Sequence, residues 1–341
     1  MQVRVFALFA VAALAATSLS AQQGVDTQRC PPGNVGAAIP DQTRASQDAC
    51  QKTIDIFEYI APQLGTAITG GNPTLGIGGN LGGFGHFSGG IRVNAVRGSA
   101  PQLDNVNVSV TGAQSTNFAT EDAYVPMPTA DLAVGIFKGL PLALTNVGGI
   151  DLLVSAAYLP EFDNSGIKVS VPNGSLKVGY GARIGILQES LLIPGVSVSY
   201  LVRDMPTVNV VGSSGGDSLY VNDLNLRTKA WRLIAGKNFF LIGLVAGIGQ
   251  DTYDASATSH VHVAARTVPP ISATNTASVP LSQKLTRTNV FGDLSLNLLL
   301  FKLVAEIGQV SGGTINTYNT FSGTQAADSR LYGSVGARIG F

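Results

Sequence analysis

The sequence predicts an all-β fold: a closed antiparallel transmembrane β-barrel of about ten strands, preceded by a short helical or irregular plug-like segment. Three observations carry this expectation. Hydrophobic residues make up 45% of the chain, yet beyond the N-terminal leader no apolar run is long enough for a spanning helix. Several segments alternate apolar and polar residues for longer than a usual globular strand, at the length of a tilted strand crossing a bilayer. The intervals between these segments are long and short by turns. A closed sheet is the β-structure that satisfies every backbone group in lipid.

Residues 1–21 read as a secretory signal peptide. Arg4 supplies the positive end, Val5 to Ala16 the apolar stretch, and Ser18 to Ala21 the small residues for cleavage. Residues 22–83 follow as a periplasmic or plugging segment. It holds both cysteines of the chain, Cys30 and Cys50. An exported chain meets an oxidising compartment, so a disulfide between them is expected. Cys50, Ile54, Phe57 and Ile60 recur at helical spacing, which predicts a helix over about 45–60 that Pro62 ends or kinks. The tract "GGNPTLGIGGNLGGFGHFSGG" lacks the Lys-Ser/Thr and the βαβ setting of a phosphate loop. It reads as irregular backbone, or backbone in close contact with something else. No cofactor is expected.

Residues 84–341 form the barrel. Strands are expected near 84–98, 130–138, 149–159, 174–187, 195–204, 222–235, 239–252, 284–298, 302–312 and 330–341. In "SLKVGYGARIGIL", for example, Val178, Tyr180, Ala182 and Ile184 share one face, and Lys177, Gly181 and Arg183 the other. The gaps at 99–129, 160–173, 205–221, 253–283 and 313–329 are long and polar. The others are tight, such as "GKN" and the joins near Leu192 and Leu300. Long loops on one side and short periplasmic turns on the other belong to an outer-membrane barrel. Arg232 falls on the lipid face of this register, which at mid-membrane would cost about 2–4 kcal/mol. "NVNVSVTG" and "TVNVVG" also alternate, so twelve or fourteen strands are alternatives.

The charged residues inside the barrel are the candidate site. On this register Arg92, Lys177, Arg183, Arg203, Arg227, Lys229, Arg287, Lys302 and Arg338 line the lumen, facing Asp151, Asp223, Asp293 and Glu306. The pentapeptide GARIG, present twice, sets Arg183 and Arg338 between glycines. Two readings follow: a lumen closed by Arg–carboxylate networks, or a basic-biased pore that concentrates anions. The pair His260 and His262 lacks the further ligands of a zinc site. No G-x-S-x-G motif accompanies His86, so a barrel hydrolase is the least favoured alternative and no enzyme is expected. Lys and Arg together equal Asp and Glu, at 21 each, which argues against a nucleic-acid partner.

With its leader, alternating strands and terminal "LYGSVGARIGF", the chain resembles Gram-negative outer-membrane β-barrel proteins. That resemblance implies outer-membrane lipid around the barrel. It also implies a final strand of Tyr332, Val335, Ala337, Ile339 and Phe341, whose aromatic end the barrel assembly machinery reads. The segment "GGNPTLG" after the predicted helix is similar to the plug of the long-chain fatty-acid transporter family. The expected function is passive, porin-like transport of small or hydrophobic solutes. The alternative is a structural or surface-interaction barrel with a closed lumen.

Overall fold

The computed structural model describes residues 23–32, 42–102, 107–164, 167–267, 270–298 and 301–340. The expected signal peptide, the turn at Leu300 and Phe341 lie outside them. Ten strands close into an antiparallel ring: β1 (Phe87–Pro101), β2 (Thr120–Phe137), β3 (Gly149–Tyr158), β4 (Leu176–Leu187), β5 (Gly195–Asp204), β6 (Asp217–Phe239), β7 (Ile242–Val263), β8 (Val279–Asn297), β9 (Lys302–Ser311) and β10 (Arg330–Gly340). Each pairs with its neighbour in sequence, and β10 closes on β1 from Ser88↔Gly340 to Val96↔Tyr332. The ring therefore has ten strands, not twelve or fourteen. Of the two extra alternating segments, Val208–Ser214 is a strand, but it pairs on the upper part of β6 outside the ring. The described part of the other, 107–112, is not a strand.

Side-chain polarity along the strands tracks the solvent. In the lower part of the ring, near the short turns, apolar residues face outward, among them Ile91, Leu152, Ile184, Leu233, Leu244, Leu294 and Val335. Tyr158, Tyr180, Tyr200 and Trp231 rim this belt on the long-loop side, and Phe239, Phe240 and Phe301 rim it at the short turns. An outward apolar band between aromatic girdles is the lipid-facing surface of a membrane barrel. The chain is a transmembrane β-barrel of the outer-membrane kind.

Above the belt β6, β7 and β8 continue well past the membrane, and their polarity inverts. Leu224, Leu226, Ala255, Ala257, Val261, Leu281 and Leu285 face inward and are buried. Arg227, Lys229, Asp254 and Lys284 face outward and are exposed. Water surrounds the sheet there, so the apolar face turns in. A bulge between Asn222 and Asn225 joins β6 to its upper extension, with exposed Asp223 held at φ 53°.

What the apolar inner face packs against is helix α1 (Gln42–Thr69), 28 residues long and buried on nearly every side. It touches β1, β2, β5, β6, β7, β8 and β10, so it lies inside the ring. It is longer than the expected 45–60 because Pro62 neither ends nor breaks it. Pro62 has no N–H for the Glu58 carbonyl four residues back. Gln283 of β8 donates its Nε2 to that carbonyl instead, at 3.0 Å. Tyr59 stacks on Phe321 at 3.9 Å, and Phe118 stacks on Phe321 at 5.3 Å.

The helix starts at the long-loop end. Gln42 Nε2 reaches the Ser272 carbonyl, and a disulfide joins Cys50 to Cys30 in the preceding segment. Asp48 accepts the backbone N–H groups of Ser109 and Gln114, and Asp55 those of Tyr318 and Asn319. Past the helix, residues 70–83 descend to the short-turn end in backbone-to-backbone contact with the wall. A Cβ on Gly78 would lie 2.2 Å from the Gly236 nitrogen, and one on Gly135 would lie 2.3 Å from the Gly83 oxygen. The glycine density of this tract is what lets the chain thread the lower lumen.

Candidate functional site

The lower lumen is built where the C-terminus of α1 meets the charged wall. A helix ends with unsatisfied carbonyls and the negative pole of its dipole. Side chains of the wall supply the donors. Asn94 Nδ2 donates to the Ala67 carbonyl at 2.6 Å, Arg203 Nη1 to Ile68 at 3.0 Å, Arg232 Nη2 to Thr69 at 3.2 Å, and Arg92 Nη1 to Gly70 at 2.7 Å. Gly71, at φ 78°, turns the chain out of the helix as a left-handed cap requires.

Each of these cations also has an acid on the wall. Arg92 Nε donates to Asp131 at 2.6 Å, Arg203 lies 3.8 Å from the same carboxylate, and Arg232 pairs with Asp251. Arg183 donates through Nε to Asp151 at 2.9 Å and through Nη1 to Thr74 at 2.6 Å. Asp151 and two further wall acids accept backbone N–H groups of residues 70–83. Glu306 takes Asn72 at 2.8 Å, Asp293 takes Gly76 at 3.0 Å, and Asp151 takes Leu81 at 3.2 Å. A buried charge is tolerable only when paired and hydrogen-bonded. Wall and threaded segment satisfy part of each other's charge and hydrogen-bonding needs in that way.

The expected lumen residues divide into three groups. Arg92, Arg183, Arg203, Arg287, Asp293 and Glu306 are buried inside the ring. Arg287 donates to the carbonyls of Ala327 and Asp328, in the loop before β10, and not to a wall carboxylate. Lys302 and Arg338 are half-buried at the short-turn mouth. Lys177 keeps the inward parity of Arg183 but is exposed above the lumen, and Arg227 does not line it. Lys177 stands one residue into β4, at the long-loop rim, where its ammonium reaches water. Arg227 faces outward above the belt and pairs with Asp204 at 3.1 Å. Its strand has the opposite register to the one expected, because Leu224 and Leu226 pack inward on α1. Lys229 is likewise outward and exposed, and Arg232, expected on the lipid face, is buried inside.

Sequence reasoning missed Asp131, Asp251 and Asn94 as members of this set. The signal for Asp131 and Asp251 was present: isolated acids in alternating segments. The upper lumen carries a second, smaller charged group outside the membrane. Burial pushes the Glu58 carboxyl up to about 7, with the Asp55 charge adding to it and Arg29, 3.7 Å away, opposing. Burial likewise raises Asp55, against the donors of Asn319.

No protein-family model matches the chain, and no curated protein matches it. Solved structures similar to it at low overlap include the attachment invasion locus protein Ail of Yersinia pestis. That match has 10% identity over 76% of this chain and 99% of that one, with a TM-score of 0.27. The toluene transporter TodX of Pseudomonas putida is 10% identical over 75% of this chain and 88% of its own, with a TM-score of 0.28. An anion-selective porin from Comamonas acidovorans is 10% identical over 75% and 98%, with a TM-score of 0.17.

Proposed function

We propose that this protein is a passive outer-membrane channel for small solutes, held closed by its own residues 42–83. The observation behind this reading is the chemistry of the lower lumen. The threaded segment meets the wall mainly through polar side chains and backbone atoms, with an apolar contact where Leu81 packs on Ala133, Leu153 and Leu201. Several buried groups there lack a partner among the described residues, including Arg203 Nε, Arg92 Nη2, Ser295 Oγ and Ser334 Oγ. Such groups are costly in a static dry core and are satisfied once water enters. An interface of this kind opens to a hydrated path at lower cost than a packed hydrophobic one.

A second reading, a permanently closed surface-interaction barrel, rests on the upper lumen. There the disulfide and the grips on Asp48 and Asp55 hold α1 under the long loops. Conductance in planar bilayers and solute uptake into liposomes separate the two. Transient conductance with size-limited uptake is expected of the channel. Absence of both conductance and uptake would overturn it in favour of the closed barrel.

A further inference from the structure

The short-turn mouth holds a cavity of about 300 Å³ between the end of residues 70–83 and strands β1, β8, β9 and β10. Its polar lining includes Asn80, His86, Ser88, Asn297, Lys302 and Arg338. Lys302 and Arg338 are direct cross-strand partners in the β9–β10 ladder. Like charges placed directly opposite in a sheet repel. Elsewhere in the lower lumen Arg92, Arg183, Arg203 and Arg232 each reach a carboxylate within 4.0 Å, while Asp293 opposite Glu306 in the β8–β9 ladder is a like-charge pair of the other sign.

No such carboxylate serves Lys302 or Arg338 among the described residues. Lys302 Nζ donates to Asn238 Oδ1 at 2.7 Å and approaches the Gly76 carbonyl at 3.5 Å. Arg338 Nη1 donates to Ser88 Oγ at 3.0 Å, and its Nε has no partner. All of these acceptors are neutral. The acids nearest in electrostatic reach, Glu189 and Asp293, form no ion pair within 4.0 Å with either cation among the described residues. Glu189 accepts both the backbone and side-chain N–H groups of Asn238, at 2.6 and 2.7 Å, and Asp293 accepts the Gly76 N–H.

We propose that this mouth binds an oxyanion, a phosphate or carboxylate group, between Lys302 and Arg338. The anion takes the place of the missing wall carboxylate and relieves the repulsion of the pair. Arg338 brings a guanidinium and Lys302 an ammonium to the lining, with Asn80 and His86 as further polar groups beside them. The guanidinium and ammonium differ in role: the first fixes the orientation of the oxygens, the second acts as a point charge. Two sources present this chemistry at the short-turn end, a free anion in solution and the phosphate of a membrane lipid headgroup. The apolar part of the lining, Ile77, Leu298 and Phe301, fits the glycerol side of a headgroup as well as it closes the cavity.

The test uses the full-length protein folded in a neutral detergent, with inorganic phosphate as the probe and chloride at matched ionic strength as the control. Saturable phosphate binding by calorimetry is expected for wild type. In Lys302→Gln/Arg338→Gln the apparent affinity should fall at least about tenfold, the ratio that 1.4 kcal/mol of lost binding energy gives. Arg227→Gln, outside the cavity, should bind like wild type. The double variant removes a repulsive pair, so it should fold and melt no lower than wild type without phosphate. If it fails to fold, Lys302→Gln alone carries the same expectation of weakened binding. Nanodiscs of phosphatidylglycerol or phosphatidylcholine then assign the source. Lipid retained by wild type, lost in the variant and displaced by phosphate marks a headgroup site; phosphate binding without retained lipid marks a free-anion site. Absence of saturable binding to wild type in both arms, or equal binding by the double variant, would overturn the proposal.

Discussion

Replacing Asp151 by Asn should destabilise the folded barrel by about 3–5 kcal/mol, the usual cost of removing one partner from a buried ion pair. Asp151 and Arg183 are both fully shielded from solvent, with Arg183 Nη2 at 2.7 Å and Nε at 2.9 Å from the carboxylate. Asparagine keeps the shape and one acceptor but leaves the Arg183 charge uncompensated, and it weakens the grip on the Leu81 N–H. Asp204→Asn provides the comparison. Its pairing with Arg227 is solvent-exposed and should be worth about 0–1 kcal/mol. In an open, water-filled lumen Arg183 would be hydrated and the two costs would converge. Urea unfolding in phospholipid vesicles measures both, followed by the fluorescence of Trp231, the single tryptophan. A lower midpoint with an unchanged slope identifies a stability effect. Asp151→Asn/Arg183→Gln should recover part of the loss, because no charge is then left unpaired. An Asp151→Asn cost below about 1 kcal/mol, or one equal to that of Asp204→Asn, would refute the filled lumen.

Two further outcomes follow from the inverted polarity and from the upper lumen. Leu233→Arg, on the lipid belt one residue from buried Arg232, should cost about 2–4 kcal/mol in the same unfolding assay, and a neutral result would contradict the register of β6. Glu58 titrates near 7 in the folded state against an ordinary value of 4.5, so the folded protein binds the extra proton between those values. Its contribution to stability therefore declines as pH rises through that window. Glu58→Gln should remove this decline and gain on wild type above pH 7, as unfolding midpoints on either side of the window would show. An unchanged pH slope would assign the effect to other groups.

The strands were legible because lipid imposes a strict period of two, and β3, β5 and β9 fall within a residue or two of their expected bounds. The expected turn "GKN" is instead paired strand, Gly236↔Val245 to Asn238↔Gly243, and the chain turns at Phe240 and Leu241. The period fails as a guide above the membrane. Leu224 and Leu226 alternate as cleanly as Leu233 and Leu244, but they face α1 instead of lipid, so the same pattern carries the opposite orientation. That reversal misplaced Arg227, Lys229 and Arg232 together. It also hid the length of β7, whose polar outward residues from Asp254 to His262 read as loop. The length of α1 was hidden because the donor that compensates Pro62 comes from Gln283, 225 residues away from Glu58. The charged lumen was visible as isolated charges in apolar strands. Their acids were only partly visible, since pairs such as Arg232–Asp251 join different strands.

Residues 42–83 occupy the lumen, and a crosslink tests that placement most directly. A Cβ on Gly70 would lie 2.3 Å from the Asn94 amide, so side chains at these two positions meet. Gly70→Cys/Asn94→Cys should therefore be exported with a second disulfide beside Cys30–Cys50, seen by non-reducing peptide mapping. Two free thiols at 70 and 94, open to a membrane-impermeant maleimide in the folded protein, would contradict a lumen filled by this segment.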